Sequence, residues 1–313
     1  MGLITKYGSF WGLIPQTSGN VYWVAPAASY TVEGRTYSAS DNNDGLSPER
    51  AVVTLDRAIS IATASAGDVI VLLPGTHSWS TSAALDVAGL TITGLPSGKG
   101  HPGHKRTSIT TTATADEIIN VTAANCEIAH LRIIPITAGI AIDYTAAADN
   151  LYMHDCVFDM YTPVVSTSTK GIAPTTALIN ADHLRVETCY FETDGAQGFM
   201  LDVGSCGGYI VEGNTFINIA GVLATACEDT GLTAGTGVWL GNKFLTVGTA
   251  TITKGVNGGD KVNTESVGFM GNFFGGQVTT PIDTYGAGDA WIVENYKSSI
   301  GNASGGILIT AIT

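Results

Sequence analysis

The segment that decides the fold is an eight-residue motif that recurs in the second half of the sequence. Its six copies share alternating apolar residues and a Cys or Asn at the sixth position: LYMHDCVF (Leu151–Phe158), LRVETCYF (Leu184–Phe191), YIVEGNTF (Tyr209–Phe216), GVWLGNKF (Gly237–Phe244), VGFMGNFF (Val267–Phe274) and AWIVENYK (Ala290–Lys297). Aligned on that Cys or Asn, successive copies are 33, 25, 28, 30 and 23 residues apart. This period is typical of a solenoid, in which each unit buries its apolar face only against its neighbours.

Each copy has the pattern of a β-strand with one buried face. Alternate residues are apolar, as in Leu184 and Val186 or Val267 and Phe269, and a period of two belongs to a strand. Two residues after the Cys or Asn, five copies carry an aromatic: Phe158, Phe191, Phe216, Phe244 and Phe274. Stacking the coils in register places these rings above one another, which favours a column of offset rings.

The residue at the bend predicts a second column. It is, in successive coils, Cys156, Cys189, Asn214, Asn242, Asn272 and Asn295. Stacked Asn side chains can both donate and accept hydrogen bonds, and so satisfy a buried turn. We therefore predict an all-β, single-stranded right-handed parallel β-helix. Weaker coils are predicted at Leu90–Leu95 and Cys126–Ile133, and Gly305–Ala311 alternates as a terminal strand would.

Residues 41–75 predict a cap at the front of the solenoid. Ser47 and Pro48 suit the start of a helix, and an amphipathic helix is expected at about Thr54–Ala64. The apolar run Val69–Leu73 predicts a buried strand. The stretch NDGLSPERA…TLDRAI…AGDVIVLLPGTHS resembles the opening segment of pectin-lyase-like β-helix proteins. With the coil motifs, the resemblance covers most of residues 40–300 and implies a helix that plugs the open end.

These patterns divide the chain into four parts. We predict an N-terminal arm at residues 1–40, the β-helix opening and capping helix at 41–75, the coils at 76–300 and a C-terminal strand or tail at 301–313. A solenoid has one core, so 313 residues need not form two domains.

Composition excludes several classes of partner. A net charge of −13 argues against nucleic-acid binding, which needs a basic face. No apolar run is long enough to span a membrane, and the N-terminus lacks the pattern of a signal peptide. Five cysteines, two of them at inward positions, favour structural free thiols over disulfides. We expect synthesis in a reducing cytoplasm.

The candidate catalytic residues follow from the register of the coils. The outward position two residues before the bend is His154, Glu187 and Glu212 in three successive coils. Carboxylates one coil apart would lie about 5 Å from each other, near the spacing of a retaining glycosidase pair. Outward positions are also commonly polar for solvation alone, and the next coils carry Leu240, Met270 and Val293 there. The sequence leaves catalysis open and favours a role other than that of an enzyme.

No cofactor or metal site is predicted. HPGHK at His101–Lys105 has two His residues three apart, but its Gly/Pro-rich context without an acidic companion favours a plain loop. DNNDG at Asp41–Gly45 lacks the remaining ligands of a calcium loop. The adjacent aspartates, His-Gly step and Arg-x-Lys triplet that polygalacturonase-like members carry are missing, so the resemblance transfers the fold and not the catalysis.

The first forty residues are rich in aromatics, and we predict short strands at Asn20–Ala25 and Ser29–Tyr37. The arm suits docking onto another protein, since aromatic residues anchor interfaces, or it folds back over the first coils. The candidate docking residues are Tyr7, Phe10, Trp11, Tyr22 and Trp23. The stretch YGSFWGLIPQTSGNVYWVAP, with YSASDNNDGLSPERA after it, resembles the openings of virion proteins of tailed bacteriophages.

Three functional hypotheses follow. The first is a structural virion protein, a capsid decoration or cement protein that projects as a homotrimeric β-helix spike and contacts the major capsid protein. The second is a tailspike-like protein that binds or cleaves a host glycan, with Glu187, Glu212, Tyr190 and Tyr152 along one face. The third, a cellular lyase or hydrolase of the pectin-lyase fold, fits less well because no export signal is seen.

Overall fold

The computed structural model describes residues 17–32, 34–95, 107–111, 117–135, 139–161, 170–174, 181–195, 198–204, 206–229, 236–258, 266–283, 289–298 and 307–309. Over these residues the chain winds into stacked coils. From β4 to β29, successive strands enter three sheets in turn, so each sheet runs along the stack. The pairing of successive coils is parallel, which confirms the predicted parallel β-helix.

The described strands fall into three long sheets and one hairpin. Sheet 1 contains β1 Val21–Val24, β4 Val69–Leu72, β7 Thr91–Gly94, β10 Glu127–Ala129, β13 Tyr152–His154, β16 Leu184–Glu187, β19 Gly208–Glu212, β22 Thr236–Leu240, β25 Ser266–Met270 and β28 Asp289–Val293. Sheet 2 contains β5 Gly75–Trp79, β8 Thr107–Thr111, β11 Arg132–Ile134, β14 Val157–Met160, β17 Tyr190–Thr193, β20 Thr215–Asn218, β23 Lys243–Thr246, β26 Phe273–Gly275, β29 Asn295–Lys297 and β30 Ile307–Ile309. Sheet 3 contains β6 Ala83–Leu85, β9 Ile119–Val121, β12 Ile140–Tyr144, β15 Lys170–Pro174, β18 Leu201–Asp202, β21 Val222–Glu228, β24 Thr251–Asn257 and β27 Val278–Asp283. The hairpin is β2 Ser29–Val32 with β3 Arg35–Ser38.

Alternation decides which side chains enter the core. In β19, Tyr209 and Val211 are buried while Ile210 points outward. The predicted phenylalanines stack inside the helix, with centroids 4.5 Å apart for Phe158 and Phe191 and 4.8–4.9 Å apart along the rest of the column. Offset rings at this spacing contribute about 0.5–1.5 kcal/mol per pair beyond their buried area.

The turn from sheet 1 to sheet 2 is made by one residue in the left-handed conformation. Its φ lies between 49° and 64° in the seven described coils that have it: His130, Asp155, Thr188, Gly213, Gly241, Gly271 and Glu294. Glycine adopts this conformation without strain, and Asp and His are enriched there among the other residues. Thr188 is β-branched and disfavours this conformation, so the bend at Thr188 is imposed by the stacking of the coils and not by the residue's own preference.

The residue after this turn forms the predicted polar ladder. Asn242 Oδ1 accepts from the backbone N–H of Asn214 (3.0 Å) and from its Nδ2 (3.1 Å), and the same pattern links Asn242 to Asn272 and Asn272 to Asn295. Cys189 continues the column by donating its backbone N–H to Asn214 Oδ1 (2.8 Å). All five cysteines are buried free thiols.

The front of the helix is closed by helix α1, Leu55–Ile61. Thr54 caps it by accepting from the N–H of Arg57 (3.2 Å). Ser47, which the sequence suggested as a cap, instead precedes a separate 3-10 turn at Pro48–Arg50. Leu55, Ala58 and Ile59 join the main core, so the short helix covers the open end as predicted.

Of the two alternatives for the N-terminal segment, its described part shows the second, in which the segment folds back onto the first coils. Strand β1 pairs with β4 as the first strand of sheet 1. Tyr22 enters the main core, and Trp23 is buried on the outer side of sheet 1 in a cluster with Tyr30 of the hairpin and Ala39, which follows it. The prediction that Tyr22 and Trp23 dock onto a partner is therefore wrong, because both side chains are already buried within the chain. Tyr7, Phe10 and Trp11 lie outside the described residues.

Among the residues that the structure describes, no helix has the length and apolarity needed to cross a membrane.

Candidate functional site

The outer face of sheet 1 carries the groups with chemical potential, and its two halves differ. We define the polar half by Glu127, Tyr152, His154, Arg185, Glu187 and Glu212, and the apolar half by Ile210, Val238, Met270, Trp291 and Val293. A shallow groove of about 830 Å³ runs over the face and is lined by residues of both halves, from Tyr152 and Arg185 to Trp291. The strand register brings the residues that line the groove from six coils into one surface.

Glu187 is the most heavily engaged carboxylate of the polar half. Its Oε2 accepts from the hydroxyl of Tyr152 (2.7 Å), and its Oε1 accepts from Arg185 Nε in an ion pair. The Arg185 guanidinium also lies over the Tyr152 ring, 5.2 Å from its centroid. Burial and the hydrogen bond to Glu187 raise the pKa of the Tyr152 hydroxyl, so Tyr152 acts as a donor. Glu187 is held as an acceptor in a Tyr–Glu–Arg cluster.

Glu212 lies directly opposite Glu187 in the parallel pairing of β16 and β19. Strands pair about 4.8 Å apart, so the two carboxylates can approach the spacing of a retaining glycosidase pair. Glu212 is followed in the same column by Leu240, Met270 and Val293. The acidic character of the column ends with it.

His154 faces away from this pair and toward the preceding coil. Its Nε2 lies 3.0 Å from Glu127 Oε1, and its Nδ1 lies 3.0 Å from Asp155 Oδ2. Its ring stacks on Tyr152 with centroids 4.5 Å apart and meets His130 edge-on at 5.4 Å. Burial acts to lower the pKa of His154, but the hydrogen bonds to Glu127 and Asp155 outweigh it and raise the pKa to about 9.

His130, His154 and Asp155 form a compact group of metal-ligating types. One ligand atom from each lies within 4.8 Å of the others. His130 and Asp155 occupy the left-handed turn position of adjacent coils, which places their side chains one above the other. The cluster lies at the edge of the polar half, beside the turn into sheet 2.

The apolar half is exposed to an unusual degree for aliphatic and aromatic side chains. Trp291 is 68% exposed, Val293 46%, Met270 41% and Ile210 39%. Gly268 lies between Val238 and Trp291 in the register, so its missing side chain deepens the groove at this point. Apart from Glu212, the described outward side chains of β19, β22, β25 and β28 are uncharged.

Comparison with known proteins gives similarity in structure and none in sequence. No protein-family model and no curated protein sequence matches the chain. Similar solved structures include the pectin methylesterase of Aspergillus niger (TM-score 0.56, 12% identity, 93% of this chain and 89% of that one) and rice weevil pectin methylesterase (0.55, 13%, 83% and 90%). The pectate lyase Pel9A is also similar (0.53, 11%, 89% and 80%). The chain has a pectin-lyase-like β-helix fold. At these identities the likeness concerns the fold alone.

On this β-helix, the three candidate catalytic residues share one column but do not form one constellation. The register places His154 opposite Glu187 and Glu187 opposite Glu212, as the sequence predicts. Their contacts differ from the expectation, because His154 turns to Glu127 and Asp155 while Glu187 is bound by Tyr152 and Arg185. Tyr190, expected on the same face, is in β17 of sheet 2, where its hydroxyl donates to Glu192 (3.0 Å).

Sequence reasoning missed Glu127, His130 and Asp155, and of the apolar half it placed only Met270 and Val293 at outward positions. The signal for Glu127 and His130 was present in the weak coil at residues 126–133, and Asp155 is in the first copy of the motif, Leu151–Phe158. Aligning its Leu131 with Cys156 puts His130 opposite Asp155 and Glu127 opposite Tyr152. The loop His101–Lys105, considered for metal binding, lies outside the described residues.

Proposed function

We propose that the protein is a structural component of a tailed-bacteriophage virion, a capsid decoration or cement protein that assembles side by side as a homotrimer. The observation that supports this most directly is the apolar half of sheet 1. Exposed contiguous apolar surface marks interaction sites, and Trp, Met and aliphatic side chains fill the cores of protein interfaces. The resemblance of the N-terminal segment to phage virion proteins supports the setting.

The occupant we propose for the apolar half is a second copy of the chain. A β-helix presents a long, regular face, and in a closed trimer the apolar halves of three parallel copies can face the three-fold axis and bury one another. Trp291 is the natural anchor, since a large exposed aromatic buries much area with few rotatable bonds. The N-terminal aromatics Tyr7, Phe10 and Trp11 would then contact the major capsid protein, with the chain made in the host cytoplasm and incorporated into the virion.

Sedimentation of the full chain tests the assembly. We expect the wild-type protein to be a trimer and the double variant Trp291→Glu/Met270→Lys to be a monomer with an unchanged circular dichroism spectrum. Tyr296→Glu is the matched control, because Tyr296 is an exposed aromatic (43%) on sheet 2. A monomeric wild type, or a double variant that still forms trimers, would contradict this use of the apolar half.

Location on the particle tests the virion role. Antibody labelling or cryo-electron microscopy of the particle that carries this chain should find copies distributed over the icosahedral shell. A few copies confined to the tail would instead favour the second candidate.

The second candidate is a β-helix protein that binds or cleaves a glycan. Its support is the groove on sheet 1, which has an aromatic at either end and the Glu187–Glu212 pair beside it. Sugar rings pack on exposed aromatic faces, and paired carboxylates are the machinery of glycoside hydrolysis. The pectin methylesterases and the pectate lyase of similar fold are pectin-processing enzymes by their names, so a glycan is a reasonable ligand for this groove.

A panel of host-surface and plant glycans, screened for binding and for new reducing ends, tests this candidate. Glu187→Gln and Glu212→Gln should each abolish cleavage, while Glu192→Gln on sheet 2 should leave it unchanged. Trp291→Ala should weaken binding. If no glycan binds, or if cleavage persists in both variants, the groove has no such role.

A further inference from the structure

The cluster of His130, His154 and Asp155 has the ligand types of a zinc site. Two imidazoles and one carboxylate suit zinc and other first-row transition-metal ions, whereas calcium and magnesium take oxygen ligands. In a tetrahedral site with bonds of about 2.1 Å, ligand atoms lie about 3.4 Å apart. The three ligand atoms are within 4.8 Å of one another, and the His154 Nδ1 to Asp155 Oδ2 distance is 3.0 Å. Binding an ion therefore requires the more distant of these atoms to move closer by about 1.4 Å or less.

Glu127 supplies a second feature of metal centres. A metal-bound histidine almost always donates its other ring N–H to a carboxylate or carbonyl, which orients the ring and makes it a better ligand. Glu127 Oε1 lies 3.0 Å from Nε2 of His154, on the opposite side of the ring from Asp155. The arrangement leaves Nδ1 directed into the cluster.

The backbone beneath the cluster is fixed by stacking. His130 donates its N–H to the carbonyl of His154 (3.3 Å), and Asp155 donates its own to the carbonyl of Glu187 (3.2 Å). Both residues are in the left-handed conformation, at the same turn of adjacent coils. Ligands held on rigid backbone lose little entropy when an ion binds.

We propose that His130, His154 and Asp155 bind one Zn²⁺, with Nδ1 of His154 as a ligand, Glu127 orienting that histidine, and water in the fourth position. The ion would join two coils at the turn between sheets 1 and 2. Three protein ligands and one open position leave it accessible to solvent. This inference is independent of whether the apolar half binds another copy or a glycan.

Metal titration of the full chain, made without a histidine tag, tests the site. We expect calorimetry with Zn²⁺ to give one site per chain, and Co²⁺ to give the intense visible bands of a tetrahedral complex. His130→Asn and Asp155→Asn should each weaken binding at least tenfold. Asn tolerates the left-handed turn, so both variants should fold. Glu127→Gln should weaken binding about tenfold, since loss of an outer-shell partner typically costs 10–100-fold.

Two controls separate this cluster from other histidines. His183→Asn should leave binding unchanged; His183 is also in the left-handed conformation (φ 63°), and the neighbouring coils carry Asn125 and Asn150 in the same conformation. The double variant His101→Gln/His104→Gln should also bind as the wild type does. The proposal fails if the wild type shows no saturable binding. It fails equally if both cluster variants bind as tightly as the wild type, or if the His101/His104 variant is the one that loses the ion.

Discussion

The buried histidine His77 titrates differently in the folded and the unfolded chain, so its protonation is part of the folding equilibrium. His77, in β5, is 2% exposed, and its Nε2 lies 2.8 Å from the carbonyl oxygen of Leu73. Burial lowers its pKa to about 4, although the hydrogen bond to Leu73 opposes the shift. Asp202 is the acidic counterpart. Burial raises its pKa to about 6, although the hydrogen bond that it accepts from the N–H of Gly204 (2.8 Å) opposes the shift. Each residue destabilises the fold in the pH range where it is charged, which is acidic pH for His77 and neutral or basic pH for Asp202.

His77 predicts a loss of stability in mild acid. The unfolded chain binds the proton near pH 6.5 and the folded chain only near pH 4, so stability falls as the pH drops from about 6.5 to 4. At 1.36 kcal/mol per unit, the loss reaches about 3 kcal/mol. Urea unfolding at pH 7 and pH 4.5 should show that His77→Gln, which can still donate to Leu73, loses less stability between the two than the wild type does. Equal losses would show that His77 does not titrate as described.

Asp202 predicts the opposite dependence. Its folded pKa is raised above the ordinary 3.8, so its contribution to stability is lost as the pH rises from about 4 through 6. Asp202→Asn keeps an acceptor for Gly204 and carries no charge. At pH 7.5 we expect the variant to be more stable than the wild type by up to about 3 kcal/mol, with the gain vanishing near pH 4. Denaturant titrations at both values measure this, and a variant that is less stable at pH 7.5 would contradict it.

At the scale of elements, the Asn ladder at the turn from sheet 1 to sheet 2 supplies the hydrogen bonds that water would supply to an exposed bend. Asn242 accepts two hydrogen bonds from Asn214, and it donates its own Nδ2 to the carbonyl of Val211 (2.8 Å). The Asn242 side chain therefore satisfies two backbone groups of the preceding coil at once, the Asn214 N–H and the Val211 carbonyl. Cys189 and Cys156 take the same place earlier in the stack, where thiols contact backbone carbonyls at 3.7–3.9 Å. The ladder is strongest in the C-terminal coils.

Removing one amide from the ladder should therefore be costly. Asn242→Ala leaves the Asn214 N–H and the Val211 carbonyl unsatisfied in a dry site, at about 1–3 kcal/mol for each group. We expect a total loss of about 2–5 kcal/mol in the free energy of unfolding, measured by urea denaturation. Asn42→Ala, at an exposed turn, serves as the control and should change stability by less than about 0.5 kcal/mol. A similar loss in both variants would exclude a special role for the ladder.

At the scale of the whole molecule, a β-helix must protect the open ends of its core. Helix α1 does so at the front, where Leu55, Ala58 and Ile59 lie against the first coils. At the other end, β30 pairs antiparallel with β29 and so covers one of the three terminal strands, at the end of sheet 2. An uncovered end would present unpaired strand edges and apolar surface.

The cap predicts a difference between two adjacent substitutions. Ile59→Asp places a charge against the end of the core, so we expect a loss of more than about 3 kcal/mol, together with aggregation through the exposed first coil. Ser60→Asp, one residue on at an exposed position, should be near neutral. Thermal unfolding monitored with light scattering distinguishes the two. If both variants melt and aggregate alike, α1 does not protect the core.

The sequence by itself determined the repeating coil, the inward phenylalanines, the Asn ladder and the capping helix. These features depend on alternation and on identical residues at equivalent positions. Repeated units of this kind bury their apolar residues only by stacking in register, so the positions of the side chains follow from the alignment of the repeats. The opposition of Glu187 and Glu212 could be read for the same reason.

Only the tertiary structure decided which outward side chains meet and which aromatics are buried. Coils of unequal length hide the alignment of His130 with Asp155, and rotamers rather than register turn His154 toward Glu127. The sequence left open whether Tyr22 and Trp23 are exposed, because an aromatic residue in a short strand gives the same sequence pattern whether or not a hairpin covers it. The apolar half combines one or two residues from each of four coils, and although the alignment of the motif places Met270 and Val293 outward, the continuous surface exists only once those coils are stacked.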